Sequence, residues 1–346
     1  MRKPLLNVEY SPKWKLALFV FLFSIVVQIA FLVSMPEPRL RNVNGDYFQF
    51  YDPVAENIVA GRGLRDGVGN FATRYPPGYP LILSGLYRIA DGLGFERVGI
   101  LAPFNAISSA LGSVLLLLIG LGRFSQRTSL LGAAIWSVYP LQIWLSKQPN
   151  SELPYIPLVL LAVWLVVESF ERESFTLAIL AGLVLGGAAL IRPAILPVIA
   201  FMLVVPFLWL FRRRGFRLVF CLSLLLGLLV PVGTWQWVAY EQTGRFFLLS
   251  TNGPSSVVDG LVFAVHTETT GDRTVIPEDL RALMERIQQE RDQLTSMGAI
   301  LRFVGQEFGK DAGLWLKLFF YKAIRILYGT FEMRHDTSIL VVQGLF

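Results

Sequence analysis

The sequence is poor in charge, in histidine and in cysteine, and each shortage excludes a class of protein. Only 16% of its 346 residues are Asp, Glu, Lys or Arg, while 54% are hydrophobic; soluble chains carry roughly 25% charged residues. A net charge of +6 spread without a continuous basic face excludes a nucleic-acid binder, because phosphate recognition needs clustered Lys and Arg. Cys221 is the single cysteine and lies inside an apolar run, which excludes a disulfide scaffold. His266 and His335 are the only histidines, so a histidine-rich metal site is excluded and a histidine-based triad is poorly supported. There is no G-x-S-x-G, P-loop, H-E-x-x-H or C-x-x-C, so any catalysis falls to carboxylates, arginines and lysine.

What the sequence has instead is long apolar runs. A membrane span needs about 20 mostly apolar residues to cross roughly 30 Å of hydrocarbon, and Leu16 to Ser34 supplies one, broken only by Ser24 and Gln28. This run exceeds an ordinary signal-peptide core, and Met35-Pro36-Glu37-Pro38 offers no small-x-small cleavage site, so the span is read as retained. Further runs at Ile100 to Leu121, Leu130 to Leu145, Leu153 to Val167, Phe175 to Ile191, Ala194 to Phe211 and Phe216 to Val238 bring the expectation to about seven spans. The fold class expected is an all-α polytopic membrane protein: a bundle over 1–240 with a long outer loop at 35–97. Ala178, Gly182, Gly186 and Gly187 place small residues together on the fifth span and predict close helix packing there.

Alternate loops sort the basic residues. Arg2, Lys3, Lys13, Lys15, Arg123, Arg127, Arg172, Arg212, Arg213, Arg214 and Arg217 fall on one side, and the short loops opposite hold only Lys147 and Arg192. Cytoplasmic loops carry the excess of Lys and Arg, which predicts a cytoplasmic-membrane protein with its amino terminus inside. The loops after spans one, three, five and seven are then outside.

Beyond the bundle, 241–336 is expected to be a polar and interfacial helical segment, and 337–346 the start of a further span. Leu280, Leu283, Met284, Ile287 and Leu294 recur at helical spacing among charges and predict a surface helix. Phe303, Phe308, Leu314, Trp315, Phe319, Phe320 and Ile324, interleaved with Lys310, Lys317, Lys322 and Arg325, read as helix lying at the membrane interface.

The charges able to do chemistry gather at the outer ends of spans: Asp46, Asp52, Glu56 and Arg74, then Lys147 and Glu152, then Arg192. Arg192 sits between two apolar runs as Leu190-Ile191-Arg192-Pro193. A guanidinium near membrane depth calls for an anion, and phosphate fits its planar fork; the alternative is an arginine snorkelling to ordinary headgroups. Arg74-Tyr75-Pro76-Pro77-Gly78-Tyr79-Pro80 is too rich in proline for helix, which predicts a stiff turn before a helix that starts near Leu81.

Gly45-Asp46 leading through Tyr51 and Ala55-Glu56-Asn57-Ile58 to Gly61-Arg62-Gly63, followed by Arg74-Tyr75-Pro76-Pro77-Gly78-Tyr79-Pro80, resembles the first outer loop of integral-membrane GT-C glycosyltransferases. The likeness is to the protein O-mannosyltransferase and aminoarabinose transferase group. Ser151-Glu152, Leu190-Ile191-Arg192-Pro193, Thr243-Gly244-Arg245 and Ser250-Thr251-Asn252-Gly253 fall where similar stretches occur there. The resemblance implies a GT-C-like helical bundle. It also implies inverting transfer of a sugar from a polyprenyl-phosphate donor to a lipid, glycan or protein acceptor at the outer membrane face.

Asp46 matches the catalytic first-loop aspartate. In the family that aspartate usually stands four residues before a tyrosine; here Asp46 precedes Phe50 by four and Tyr51 by five, which keeps Asp52 open as the alternative. With Asp46 as base, Arg74, Arg192 and Lys147 are the candidates for the donor phosphate, and Glu152 and Tyr75 for orienting substrate. Direct displacement calls for no covalent nucleophile and no cofactor; a divalent metal stays open. The reading from another class is a polyprenyl-lipid or small-solute transporter, with Arg192 and Glu152 lining a pathway.

Overall fold

A computed structural model describes residues 12–35, 45–205, 214–262 and 277–325. Among them the regular structure is helical, and the one antiparallel bridge, Arg65 with Phe71, stands alone. The chain divides into two compact units, Met1–Leu249 and Ser250–Phe346.

The first unit is the bundle. Its helices are α1 (Lys13–Ser34), α2 (Asp52–Val59), α3 (Gly78–Leu93), α4 (Leu101–Leu121), α5 (Gln126–Ser137), α6 (Pro140–Ser146), α7 (Glu152–Glu171), α8 (Phe175–Ile191), α9 (Leu196–Val205) and α10 (Arg214–Thr243). Four are long and apolar enough to cross a membrane: α1, α4, α7 and the Leu218–Thr243 part of α10. The other three of the roughly seven expected runs are shorter or broken helices among the described residues. The fifth run forms the shorter α8, and the sixth starts as a 3-10 turn at Pro193–Ile195 before α9. The remainder of that sixth run, after Val205, lies outside the described residues.

The run Leu130 to Leu145 is two helices. The chain is extended at Tyr139 and restarts at Pro140, because proline has no N–H to give and disfavours helix in the residue before it. The broken pair nonetheless runs antiparallel to α4 along its length. Gly120 lies against Ser129, Ser137 donates to Ser113 at 3.0 Å, Gln142 to Ser109, and Asn105 to the carbonyl of Gln148 at 2.9 Å. From 105 to 120 is about 22 Å of helix at 1.5 Å per residue. α5 and α6 thus carry the chain back, as one span would.

The helices are held in two ways. Along α1, α4, α5 and α6 runs a buried polar seam, in which Gln28 donates to Ser109 at 2.8 Å and Ser113 meets Ser24 at 3.4 Å. Hydrogen bonds across helices suit lipid, where apolar side chains gain nothing by leaving the solvent. Between α8 and α10 the contact is backbone on backbone. A methyl on Gly182 would lie 2.1 Å from the Leu224 carbonyl oxygen, and one on Gly227 equally close to that of Ile179. The small-residue stretch therefore packs as its composition predicts.

In the second unit, α11 (Gly253–Val262), α12 (Glu278–Gln289), α13 (Met297–Lys310) and α14 (Ala312–Arg325) enclose their own core of Val258, Leu280, Leu283, Ile287, Trp315 and Leu318. The predicted surface helix is α12, with its apolar stripe turned into that core. The interfacial segment is broken at Asp311 into α13 and α14. His266, His335 and the apolar stub at 338–346 lie outside the described residues.

Candidate active site

The loop between α1 and α4 contains a single π turn, Tyr47–Tyr51, that runs into α2. Its defining bond is from the Asp52 N–H to the Tyr47 carbonyl, five residues back, where an α-helix would reach four. That wider turn takes up the extra residue between Asp46 and Tyr51. Both side chains meet Tyr75: the Tyr75 hydroxyl donates to Asp46 Oδ1 at 2.8 Å, and the Tyr51 and Tyr75 rings stand 5.2 Å apart.

Tyr75 is held by its own segment. Pro76 and Pro77 stiffen the turn, and α3 starts at Gly78, earlier than the expected start near Leu81. Gly78 packs so closely on the end of α8 that a methyl there would lie 2.5 Å from the Leu190 carbonyl oxygen. Glycine is needed here for the approach of two backbones, which brings the Arg74-Tyr75 corner onto the segment bearing Arg192.

Asp46 has Arg74 Nη2 at 3.9 Å, and its side chain is 33% exposed. The Arg74 guanidinium lies 5.4 Å from the centre of the Tyr75 ring. Burial, then the hydrogen bond to Asp46, pushes the Tyr75 hydroxyl up to about 12, so it remains a donor to the carboxylate across the physiological range.

Arg192 ends α8. Its backbone leaves the helix in an extended conformation (φ −144°, ψ 119°) ahead of Pro193, as a residue before proline prefers. Its Nη1 donates to Ser151 Oγ and to Glu152 Oε1, both at 2.7 Å, which ties the start of α7 to the end of α8. Nη2 has no protein partner among the described residues. Tyr51 bridges the two charge groups: burial pushes its hydroxyl well above the usual value, while the nearby Arg192 and a hydrogen bond with Ser151 pull the other way and Asp46 adds to the rise. Arg74, Asp46, Tyr75, Tyr51, Ser151, Arg192 and Glu152 are therefore contiguous.

Asp52 belongs to a different cluster. It accepts from the Tyr87 hydroxyl at 2.5 Å and from Tyr47 at 3.4 Å, and the two phenols are 2.9 Å apart. Burial foremost raises the Tyr47 hydroxyl to about 12 and that of Tyr87 further. Glu56 is also occupied, by Arg97 at 3.3 Å.

The structure does not bring Lys147 into contact with the other cations. It is 8% exposed, and its ammonium lies 3.7 Å from the centre of the Trp144 ring; burial lowers its pKa. It sits in the α6–α7 turn that Asn105 and Asn150 pin through the carbonyls of Leu145, Ser146 and Gln148. Among the described residues no group of three His, Cys, Asp or Glu side chains is placed to hold a metal ion.

Sequence reasoning picked out Tyr75 but passed over Tyr51, Ser151 and Gly78 as working parts. A signal existed for the tyrosines, since five of the eleven, Tyr47, Tyr51, Tyr75, Tyr79 and Tyr87, fall in the first loop. Two pairs are four residues apart, which is the spacing of one helix face. Nothing in the sequence marks Gly78 off from other loop glycines.

A first loop carrying a carboxylate, with one arginine on a proline corner and another at the end of α8, is the arrangement on which the comparison with known proteins bears. No curated protein matches the chain. Residues 74–237, which take in Arg74, Tyr75, Lys147, Glu152 and Arg192 but begin after Asp46, match the family model of dolichyl-phosphate-mannose-protein mannosyltransferases, and this match supports the chain as a GT-C-type glycosyltransferase of the membrane.

Proposed function

We propose that the protein transfers a sugar from a polyprenyl-phosphate donor to an acceptor hydroxyl or amine at the outer face of the cytoplasmic membrane, with Asp46 as general base. The observation that carries this reading is the contrast between its two candidate carboxylates. Asp46 is partly exposed and steered by Tyr75 and Arg74, whereas Asp52 is engaged by two buried phenols.

Asp46 takes the acceptor proton as the acceptor atom forms its bond to the anomeric carbon from the face opposite the phosphate. The bond from that carbon to the phosphate oxygen breaks, and its electrons leave on polyprenyl phosphate. Inversion follows from the single displacement. Charge that grows on the departing phosphate is what a guanidinium stabilises, and Arg192 offers Nη2 for it while Ser151 and Glu152 hold Nη1. Arg74 is the second cation, within reach of both the base and the phosphate. Tyr75 orients Asp46 directly, and Glu152 orients Arg192. Lys147, outside this contact network, contributes long-range positive charge rather than a direct ligand.

The test is turnover of radiolabelled polyprenyl-phosphate sugars by purified protein in detergent with a membrane extract as acceptor. Asp46→Asn is expected to abolish transfer while donor binding persists. A wild type that forms no glycosylated product across a broad donor and acceptor panel, yet moves the carrier across vesicle membranes, would overturn the enzyme reading in favour of a transporter.

A further inference from the structure

The second unit carries apolar residues that its core does not use. On α13 the buried stripe contains Ile300 and Glu307, and a separate stripe of Met297, Leu301 and Phe308 faces outward. On α14, Trp315 and Leu318 enter the core, while Leu316, Phe319 and Phe320 are exposed. Leu301, Leu316 and Phe320 are 65%, 61% and 69% exposed. Met297, Leu301 and Phe308 are four and seven residues apart, and Phe319 and Phe320 follow Leu316 by three and four, so each trio lies on one side of its helix. Two consecutive helices of a compact unit thus present a second apolar side, beyond the scattered single residues that any surface shows.

Charge says what covers it. On α13, α14 and the turn between them the cations Arg302, Lys310, Lys317, Lys322 and Arg325 outnumber Glu307 and Asp311, whereas on α12 and the turn after it Glu278, Asp279, Glu285, Glu290 and Asp292 outnumber Arg281, Arg286 and Arg291. The unit therefore carries a net positive charge on the two helices with spare apolar side chains and a net negative charge on α12 and the turn after it. That is the signature of a helix at the boundary of headgroups and acyl chains, where aromatic and aliphatic residues enter the lipid and Lys and Arg meet anionic headgroups.

We propose that α13 and α14 dock the second unit onto the membrane surface, with Leu301, Phe308, Leu316, Phe319 and Phe320 entering an anionic leaflet. The sequence reading takes Trp315 and Phe320 together as interfacial; the fold sends Trp315 inward and turns Leu316 and Phe320 out. This surface is independent of the transfer chemistry.

The test uses the full chain with Cys221→Ser and single cysteines at Leu301, Leu316, Phe320 or, as control, the exposed Ala282 of α12. All four positions are outside the core, so substitution leaves packing intact. Each cysteine is labelled with an environment-sensitive fluorophore, and the protein is placed in nanodiscs of phosphatidylcholine and phosphatidylglycerol with or without doxyl-labelled lipid. The expected result is blue-shifted emission, largely quenched by doxyl lipid, at the three outward positions, with water-like and unquenched emission at Ala282. Four results would each overturn the proposal. These are water-like emission throughout, quenching equal at Ala282, blue-shifted emission that doxyl lipid leaves untouched because protein covers the face, or disulfide formation between two copies at Phe320→Cys without lipid quenching.

Discussion

Asp46 and Asp52 stand on either side of one π turn, and their surroundings are opposite. Around Asp52 the partners are phenols in a buried cluster of Tyr47, Tyr79, Leu83 and Tyr87. That carboxylate fastens α2 to α3 and has its oxygen taken up. Around Asp46 the partners are a phenol on a proline-stiffened corner and a guanidinium 48% exposed. A carboxylate that accepts a proton from an incoming group needs access and an orienting donor; at Asp46 the donor stands beside an exposed guanidinium, whereas at Asp52 both donors are buried phenols. The comparison teaches that two carboxylates of one loop are told apart by the kind and burial of their partners, not by residue type or loop position.

The largest effect expected from breaking that comparison is on turnover. Asp46→Asn should lower the transfer rate by about 10² to 10⁴, the usual contribution of a general base, with little change in thermal unfolding. Asp52→Asn should do the reverse, lowering the unfolding temperature while turnover per folded molecule stays near wild type. Radiolabel transfer and a melting curve on both variants check this, and exchanged outcomes would make Asp52 the base.

Next in size is the donor phosphate. Arg192→Ala should weaken binding of polyprenyl phosphate, with or without sugar, by the equivalent of about 1.5 to 3 kcal/mol, the range for hydrogen bonds to charged groups. Arg192→Lys should recover only part, because an ammonium lacks the fork that serves Ser151, Glu152 and a phosphate together. A titration of the lipid in detergent gives both values, and binding unchanged in the alanine variant would remove Arg192 from the donor site.

A smaller effect should come through packing. Gly78→Ala places a methyl against the Leu190 carbonyl, and forced overpacking costs typically 1 to 3 kcal/mol. The Tyr75 corner should shift away from the end of α8, which lowers the melting temperature and turnover together. Gly85→Ala, with open space around its position on the same helix, is the control and should be neutral or slightly stabilising.

The smallest effect is on pH dependence. The Tyr75 hydroxyl is raised from 10.0 to about 12 in the folded protein, so the folded state holds this proton more tightly than the unfolded one. Its contribution to stability is complete below pH 10 and is lost as pH rises toward 12. Tyr75→Phe should therefore melt below wild type at pH 8, and the gap should narrow as pH rises beyond 10. A gap that stays constant to pH 11.5 would contradict the bond to Asp46.

Much of the bundle was legible in the sequence because lipid imposes a simple rule. Backbone polar groups must be satisfied within the segment, so a long apolar run is a helix almost by composition, and α1, α4, α7 and α10 lie where the runs predicted. The fate of individual prolines was not legible. Pro140 starts a new helix, whereas Pro157 and Pro231 stay inside α7 and α10. Neighbours decide this: Gly186 leaves room for the Pro231 ring, to which a methyl on that glycine would come within 2.3 Å.

By itself the sequence determined the solvent, the helical class, the residues able to do chemistry and the family likeness, because composition and short motifs are local properties. Tertiary structure alone decided which of those residues act together. Tyr75 lies 29 positions from Asp46, and Ser151 lies 41 from Arg192; the first pair meets through the packing of α3 on α2 and the π turn, the second through the antiparallel return of α7 and α8. It also decided which aromatic side chains of α14 face inward, since a helix with apolar residues on both sides has no preferred inner face until α12 and α13 pack against one of them.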